Sequence, residues 1–263
     1  MKVRLAVSLI NLNEDYEVAP PKADAPLVKL LTAMASVLEG HPSLNNLAPL
    51  IGPADFPELE FPSVDAEMTI EVVLCNEPED LSIILDRGMG EAVGVFANSS
   101  GAFDETRWAA DKFRVLVVCG DEFYKRHVKA ERALEQDPWK SQYDLDYLKG
   151  AVTTLTHEVM HAIEFINHGG GLSPEQVDNA HDEDYFPFSL RDVCSGRGIR
   201  TDMPIELSRE DADEFMEQRV EHLGRELTDW AIDRVSPALV QRCIKAYAPR
   251  APEPSSELYS PGL

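Results

Sequence analysis

Hydrophobic and polar residues repeat along this chain with two periods, and the period separates its strands from its helices. Short apolar runs rich in Val, Ile and Leu predict four strands, at residues 2–10, 68–74, 92–97 and 113–119. Apolar residues three and four positions apart predict helices at residues 27–38, 121–135, 144–167 and 238–248, with shorter ones at 80–86 and 174–179. One more long helix ends near Val235 and begins at either Pro204 or Ser208, since both residues favour a helix start. The strands lie in the first half and the longest helices in the second, so the pattern predicts an α+β fold.

The same pattern predicts one domain followed by a tail. Residues 1–142 are expected to form an N-terminal lobe with a mixed β-sheet, residues 143–168 a central helix, and residues 169–248 a helical C-terminal lobe. Residues 249–263 are rich in Pro and Ser, so this segment is predicted to be disordered. A proline-rich stretch at residues 41–64 is predicted to be an irregular surface excursion.

The central helix has two faces of different character. Its apolar face runs from Leu145 to Ile166 at the helical period, which indicates that this face packs against the sheet. The opposite face carries His157, His161 and small residues, and no Lys or Arg occurs from residue 150 to residue 168. A helix face in contact with water more often carries Lys, Arg and Glu. The pattern therefore predicts that this face lines a cleft.

The polar face contains the motif His157-Glu158-Val159-Met160-His161. Two histidines four residues apart on a helix lie one turn above each other, where they can bind one metal ion. A glutamate between them is placed to accept a proton from a water molecule on the metal. The motif therefore predicts a zinc site in which His157 and His161 are ligands and Glu158 is the catalytic base.

The motif and its helix resemble those of the zincin metallopeptidases. The resemblance is specific over residues 150–168 and general over the order of a sheet followed by two long helices. It implies a zincin-like fold with Zn²⁺ as the cofactor. It also implies hydrolysis of peptide bonds, in a peptide or protein substrate, by a zinc-bound water that Glu158 activates. By the same resemblance, strand 92–97 is an edge along which a substrate peptide can lie, and a plain sheet edge is the alternative.

A catalytic zinc site needs a third protein ligand, and the sequence offers several. The metzincin branch places a Gly and a His three and six residues after the second histidine, but Glu164 and Asn167 occupy those positions here. The gluzincin branch supplies a Glu from a later helix, and by this resemblance Glu206 is the favoured ligand. The alternatives are Glu210, His168 and His181.

Two further roles beside the metal have candidates. Glu164 lies on the same line of the helix as the two histidines, which suits a carboxylate that orients a ligand. A group that stabilises negative charge on the substrate carbonyl oxygen is also expected. Its candidates are Tyr185, His181 and His222.

Composition narrows the function further. The formal charge of -23 at pH 7 argues against binding to nucleic acid, because such a chain repels phosphates. The charge also suggests an alternative function, an acidic interaction protein on a zincin scaffold that is catalytically weak or inactive and binds a basic partner. No apolar run is long enough to span a membrane, and the first one is too short for a signal peptide. The four widely spaced cysteines are predicted to be reduced thiols, so a cytoplasmic location is expected.

Overall fold

The protein combines a four-stranded sheet with helices, in a computed structural model that describes residues 2–10, 19–45, 67–85, 88, 90, 92–97, 113–134, 143–165 and 209–247. The strands within these ranges are β1 (Lys2–Leu9), β2 (Glu67–Cys75), β3 (Gly94–Ala97) and β4 (Phe113–Val118). The helices are α1 (Pro26–Leu38), α2 (Pro42–Asn45), α3 (Pro78–Leu85), α4 (Asp121–Ala133), α5 (Tyr143–Phe165), α6 (Arg209–Ile232) and α7 (Pro237–Tyr247). The α+β prediction is confirmed.

The observed elements follow the predicted ones closely, with differences at their ends. All four predicted strands form, and the central helix covers 143–165 against a predicted 144–167. The stretch at 41–64 differs from its prediction at the start, where α2 forms and buries Leu44 completely. The rest of that stretch, the helix predicted at 174–179 and the tail at 249–263 lie outside the described residues.

The sheet is mixed, as predicted, and has the strand order β1-β2-β4-β3. The strands β1, β2 and β4 are parallel, with Val7 opposite Val72 and Val72 opposite Val115. The strand β3 is antiparallel to β4, with Phe96 opposite Val115. In the described part of the sheet β3 is therefore an edge strand, next to the strand that supports α5.

Each face of the sheet contributes to its own hydrophobic cluster because side chains alternate along a strand. The larger cluster joins one face to α1, α4, α5, α6 and α7. It includes Ile70, Val72 and Leu74 of β2, each fully buried. The smaller cluster covers the other face and contains residues of α3 such as Leu81. The cysteines Cys75, Cys119 and Cys243 are free thiols in these buried regions, and no helix in the described ranges is long and apolar enough to cross a membrane.

The central helix α5 packs with its apolar face in the larger cluster. Six residues of this face are buried: Leu148, Val152, Leu155, Val159, Ala162 and Ile163. Leu145, in the first turn, is 37% exposed, so the buried face begins one turn later than predicted. The helix also contacts β3, β4, α6 and α7. It is thereby held between the sheet and the C-terminal helices, with its polar face next to β3 and α6.

Candidate metal centre

The helix α5 brings His157 and His161 together as the motif predicts. Because the residues lie one turn apart, their rings meet at 76°, and their Nε2 atoms are 3.0 Å apart. At that distance at most one proton fits between the two nitrogen atoms. At least one of the two Nε2 atoms therefore carries no proton, which is the form in which that atom can bind a metal ion.

A carboxylate from the second long helix completes the group. Glu217 of α6 places Oε1 3.1 Å from His157 Nε2 and Oε2 3.2 Å from His161 Nε2. The potential ligand atoms of the three residues all lie within 4.8 Å of one another. Two imidazoles and one carboxylate form the ligand set of a known class of catalytic zinc site.

The spacing of these atoms fits a bound metal. Donor atoms about 2.1 Å from a tetrahedral zinc ion lie roughly 3.4 Å from each other. The two Nε2 atoms, 3.0 Å apart, are within a few tenths of an ångström of that value, and Glu217 approaches each histidine with a different carboxylate oxygen, at 3.1 and 3.2 Å. The two histidine side chains are 21% and 32% exposed, so one side of the group is open to a water molecule or a substrate. His157, His161 and Glu217 therefore fit a zinc ion with an open coordination position.

The environment keeps His161 in the form that binds metal. Burial holds the pKa of this histidine below its usual value, and the neighbouring His157 lowers the pKa further. The carboxylate of Glu217 acts in the opposite direction, through its charge and its hydrogen bond. The net effect favours the neutral imidazole, whose free lone pair is the ligand.

Glu158 lies between the helix and the edge strand. It is 8% exposed, and its carboxylate accepts a hydrogen bond from the backbone N–H of Phe96 in β3. Burial raises the pKa of this carboxyl to about 8, and the charge of Glu217 raises it as well, while the Phe96 hydrogen bond lowers it. A carboxyl group with a pKa near neutral pH can both accept and donate a proton.

The close contact between β3 and Glu158 depends on Gly94. A Cβ atom added to this glycine would lie 2.9 Å from Glu158 Cγ, 3.0 Å from its Oε1 and 2.5 Å from Thr154 Cγ2. All three distances are shorter than side chains normally tolerate. The sequence thus provides a residue without a side chain where the edge strand meets the helix.

A cleft of about 700 Å³ extends from this site along α5. Gly150 and Thr154 of α5 line it, together with His157 and Glu158. The strand β3 contributes Gly94 on one side, and α6 contributes a row of charged residues on the other. These are Glu217, Glu221, Arg225 and Asp229. The polar face of α5 therefore lines a cleft, as its composition predicts.

The predicted third ligands fall mostly outside the described residues. This applies to Glu206, His168 and His181, and also to Tyr185. Two more predicted residues, Glu210 and Glu164, lie on described helices, but their side chains lie outside the described part. His222 is described, and it does not line the cleft. Its side chain is 74% exposed and its Nε2 is 3.5 Å from Glu226 Oε1, a neighbour on the same helix.

Glu217 is the residue that the sequence analysis missed. The apolar face predicted for α6 does not include it, and no short motif identifies it. A signal was nevertheless present in Gly224 and Thr228, small residues that mark the line along which α6 packs closely against another helix. Glu217 lies on the same line, seven residues before Gly224, which is about two turns of helix.

Comparisons of this chain with known proteins found no relative. No family model matches the chain, and no similar curated protein or solved structure was found. The candidate function therefore depends on the chemistry of the site itself.

Proposed function

We propose that this protein is a zinc-dependent metallopeptidase with a zincin-like fold, in which His157, His161 and Glu217 bind the zinc ion and Glu158 is the catalytic base. The observation that supports this most directly is the grouping of two imidazoles and a carboxylate around one point, beside a buried glutamate. The three ligands come from two helices far apart in the chain. Their convergence is a stronger argument than the five-residue motif alone.

The residues of the site can take the different roles that peptide hydrolysis requires. A zinc ion bound there would supply Lewis acidity, which makes a water molecule more acidic and polarises a carbonyl group. Glu158 accepts a proton from the attacking water while the water oxygen bonds to the carbonyl carbon. It then donates that proton to the amide nitrogen as the C–N bond breaks. Its raised pKa, about 8 without a metal, favours the donation of that proton near neutral pH, and the positive charge of a bound zinc ion would lower the pKa towards the range in which the carboxylate can accept one.

The edge strand supports a peptide as the substrate. Val118 N–H donates a hydrogen bond to Val93 O, so alternate residues of β3 direct their backbone groups towards β4. By this alternation Gly94 and Phe96 direct theirs to the other edge, where Phe96 N–H bonds to Glu158. An extended peptide that pairs with Gly94 would thus lie next to the carboxylate of Glu158.

Three variants test the proposal by zinc content and by cleavage of a peptide library. Glu158→Gln should retain about one zinc per chain and lose cleavage, because the amide cannot accept the proton. Glu217→Ala should lose zinc, because only the histidines remain. Glu221→Ala is the matched control: it removes an exposed carboxylate one turn further along the same helix face, and it should retain zinc.

Different results identify different errors. Cleavage by Glu158→Gln would exclude this residue as the base. Zinc binding by Glu217→Ala as tight as by the wild-type protein would exclude Glu217 as a ligand. Stoichiometric zinc in the wild-type protein without cleavage of any peptide would favour the alternative function, an acidic interaction protein that binds a basic partner.

A further inference from the structure

We infer that Gly224 and Thr228, which supply no ligand atom, set the zinc affinity by fixing the position of Glu217 against His157 and His161. The inference rests on the proposed function, because it assumes that these three residues bind zinc. It goes beyond that function by assigning a positioning role to a contact between two helices.

Glu217 depends on the placement of its helix. Its side chain is 57% exposed, and its described ion pairs are those with the two histidines. The histidines belong to α5 and the glutamate to α6. The distance between ligand atoms is therefore decided by how closely the two helices approach and by how they are shifted along each other.

Gly224 sets the distance of approach. A Cβ atom added there would lie 3.1 Å from His157 Cα, 3.2 Å from His157 N and 3.5 Å from the carbonyl carbon of Thr156. These are backbone atoms of α5, which cannot move aside as a flexible side chain can. A side chain at position 224 would therefore push the helices apart by a few tenths of an ångström. Metal sites tolerate about 0.2 Å in ligand distance, so this displacement matters.

Thr228 sets the shift of one helix along the other. Its hydroxyl lies 2.6 Å from the Thr156 hydroxyl, 3.1 Å from the Thr153 hydroxyl and 3.0 Å from the carbonyl oxygen of Gly224. Thr156 also donates to the carbonyl oxygen of Thr153, at 2.9 Å. Thr156 is 0% and Thr228 is 2% exposed, so water cannot replace these bonds without opening the contact. Sliding α6 along α5 would lengthen and misalign the two hydroxyl contacts that join the helices.

The test measures zinc affinity by competition with a chromophoric chelator, and the absorption spectrum of the Co²⁺-substituted protein. Gly224→Ala should weaken zinc binding by about tenfold or more, in the range found when residues behind metal ligands are changed. Thr228→Val should also weaken it, and Thr228→Ser, which keeps the hydroxyl, should restore it. The Co²⁺ spectrum should change in Gly224→Ala and in Thr228→Val, since it reports the arrangement of ligands.

Gly150→Ala is the matched control. Gly150 is also a helical glycine that lines the cleft, but an added Cβ atom would meet nothing within 4 Å. This variant should bind zinc as the wild-type protein does. The unfolding midpoint of each metal-free variant shows that it folds, so that a loss of affinity is not a loss of structure.

The inference is overturned if Gly224→Ala binds zinc as tightly as the wild-type protein, or if Gly150→Ala loses as much affinity as Gly224→Ala. A wild-type protein that binds no zinc in this assay refutes the proposed function and, with it, this inference. If the wild-type protein binds zinc and Gly224→Ala binds it equally tightly, the inference is refuted and the proposed function is not.

Discussion

Replacing Glu158 with Gln should make the metal-free protein more stable than the wild type at pH 8, and most of this gain should disappear at pH 5. Glu158 is 8% exposed, and burial raises the pKa of its carboxyl to about 8 from an ordinary value of 4.5. Because the folded protein has the higher pKa, it binds this proton more tightly than the unfolded chain does. The protonated carboxyl therefore makes its full contribution to the stability of the folded protein below pH 4.5, and this contribution is lost as the pH rises to 8.

The magnitude follows from the two pKa values. Each full pH unit between them costs about 1.4 kcal/mol, and the last unit before the folded pKa costs less, so the wild-type protein should lose about 3–4 kcal/mol between pH 5 and pH 8 from this group. Gln has nearly the same size as Glu and does not ionise, so the variant avoids this loss. In a domain of this length about 1 kcal/mol shifts the melting temperature by roughly 2–4 °C, so the difference between the two proteins should grow by roughly 6–16 °C.

Thermal unfolding of both proteins with a chelator present, at each pH unit from 5 to 8, measures this difference. Glu221→Gln is the control, because it also removes one negative charge, but from an exposed side chain. A difference between the wild-type protein and Glu158→Gln that stays constant over this range would refute the interpretation of Glu158 as a buried carboxyl that ionises at a cost. Zinc should reduce the difference, since a cation beside the carboxylate stabilises its charged form.

Three further changes should have measurable results. Leu30→Ala, at a position that is 0% exposed, should lower the free energy of unfolding in urea by about 2–5 kcal/mol, because it leaves a cavity in the larger hydrophobic cluster. Gly94→Ala should lower the free energy of unfolding by about 1–3 kcal/mol, because the new Cβ atom would lie 2.5 Å from Thr154 Cγ2 and 2.9 Å from Glu158 Cγ. An unchanged midpoint of urea unfolding would argue against this contact. Zinc at 100 times its dissociation constant should stabilise the wild-type protein by about 2.7 kcal/mol, and His161→Ala should lack this stabilisation in the same melting experiment.

The fold could largely be predicted from the sequence because most of its signals are local. Short runs of Val, Ile and Leu around positions such as Val72 and Val115 favour strands, and the apolar spacing of α1 and α5 indicates helices. The order and direction of the strands in the sheet are not encoded by local signals. Parallel pairing of β1 with β2, and the antiparallel edge strand β3, depend on contacts between distant segments.

Half of the candidate site was determined by the sequence itself. Helix geometry places His157 above His161 whenever the segment is helical, and the hydrophobic face of α5 decides which side of the helix stays free for them. The burial of Glu158 was not predictable in this way. It arises because Gly94 lets the edge strand approach the helix, and the spacing of residues within α5 carries no information about that strand.

The carboxylate that lies beside the two histidines is a result of tertiary structure. The favoured Glu206 lies outside the described residues, and among the described ones the carboxylate that meets the two histidines belongs to Glu217, within the helix. Helical spacing places this glutamate in line with Gly224 and Thr228, but the spacing does not say which other helix that line meets. Its position results from the packing of α6 on α5 at Gly224, and a contact between helices is a property of two surfaces. The sequence therefore determined the pair of histidines and the glutamate between them, and the packing of the second helix determined which carboxylate of the described residues joins them.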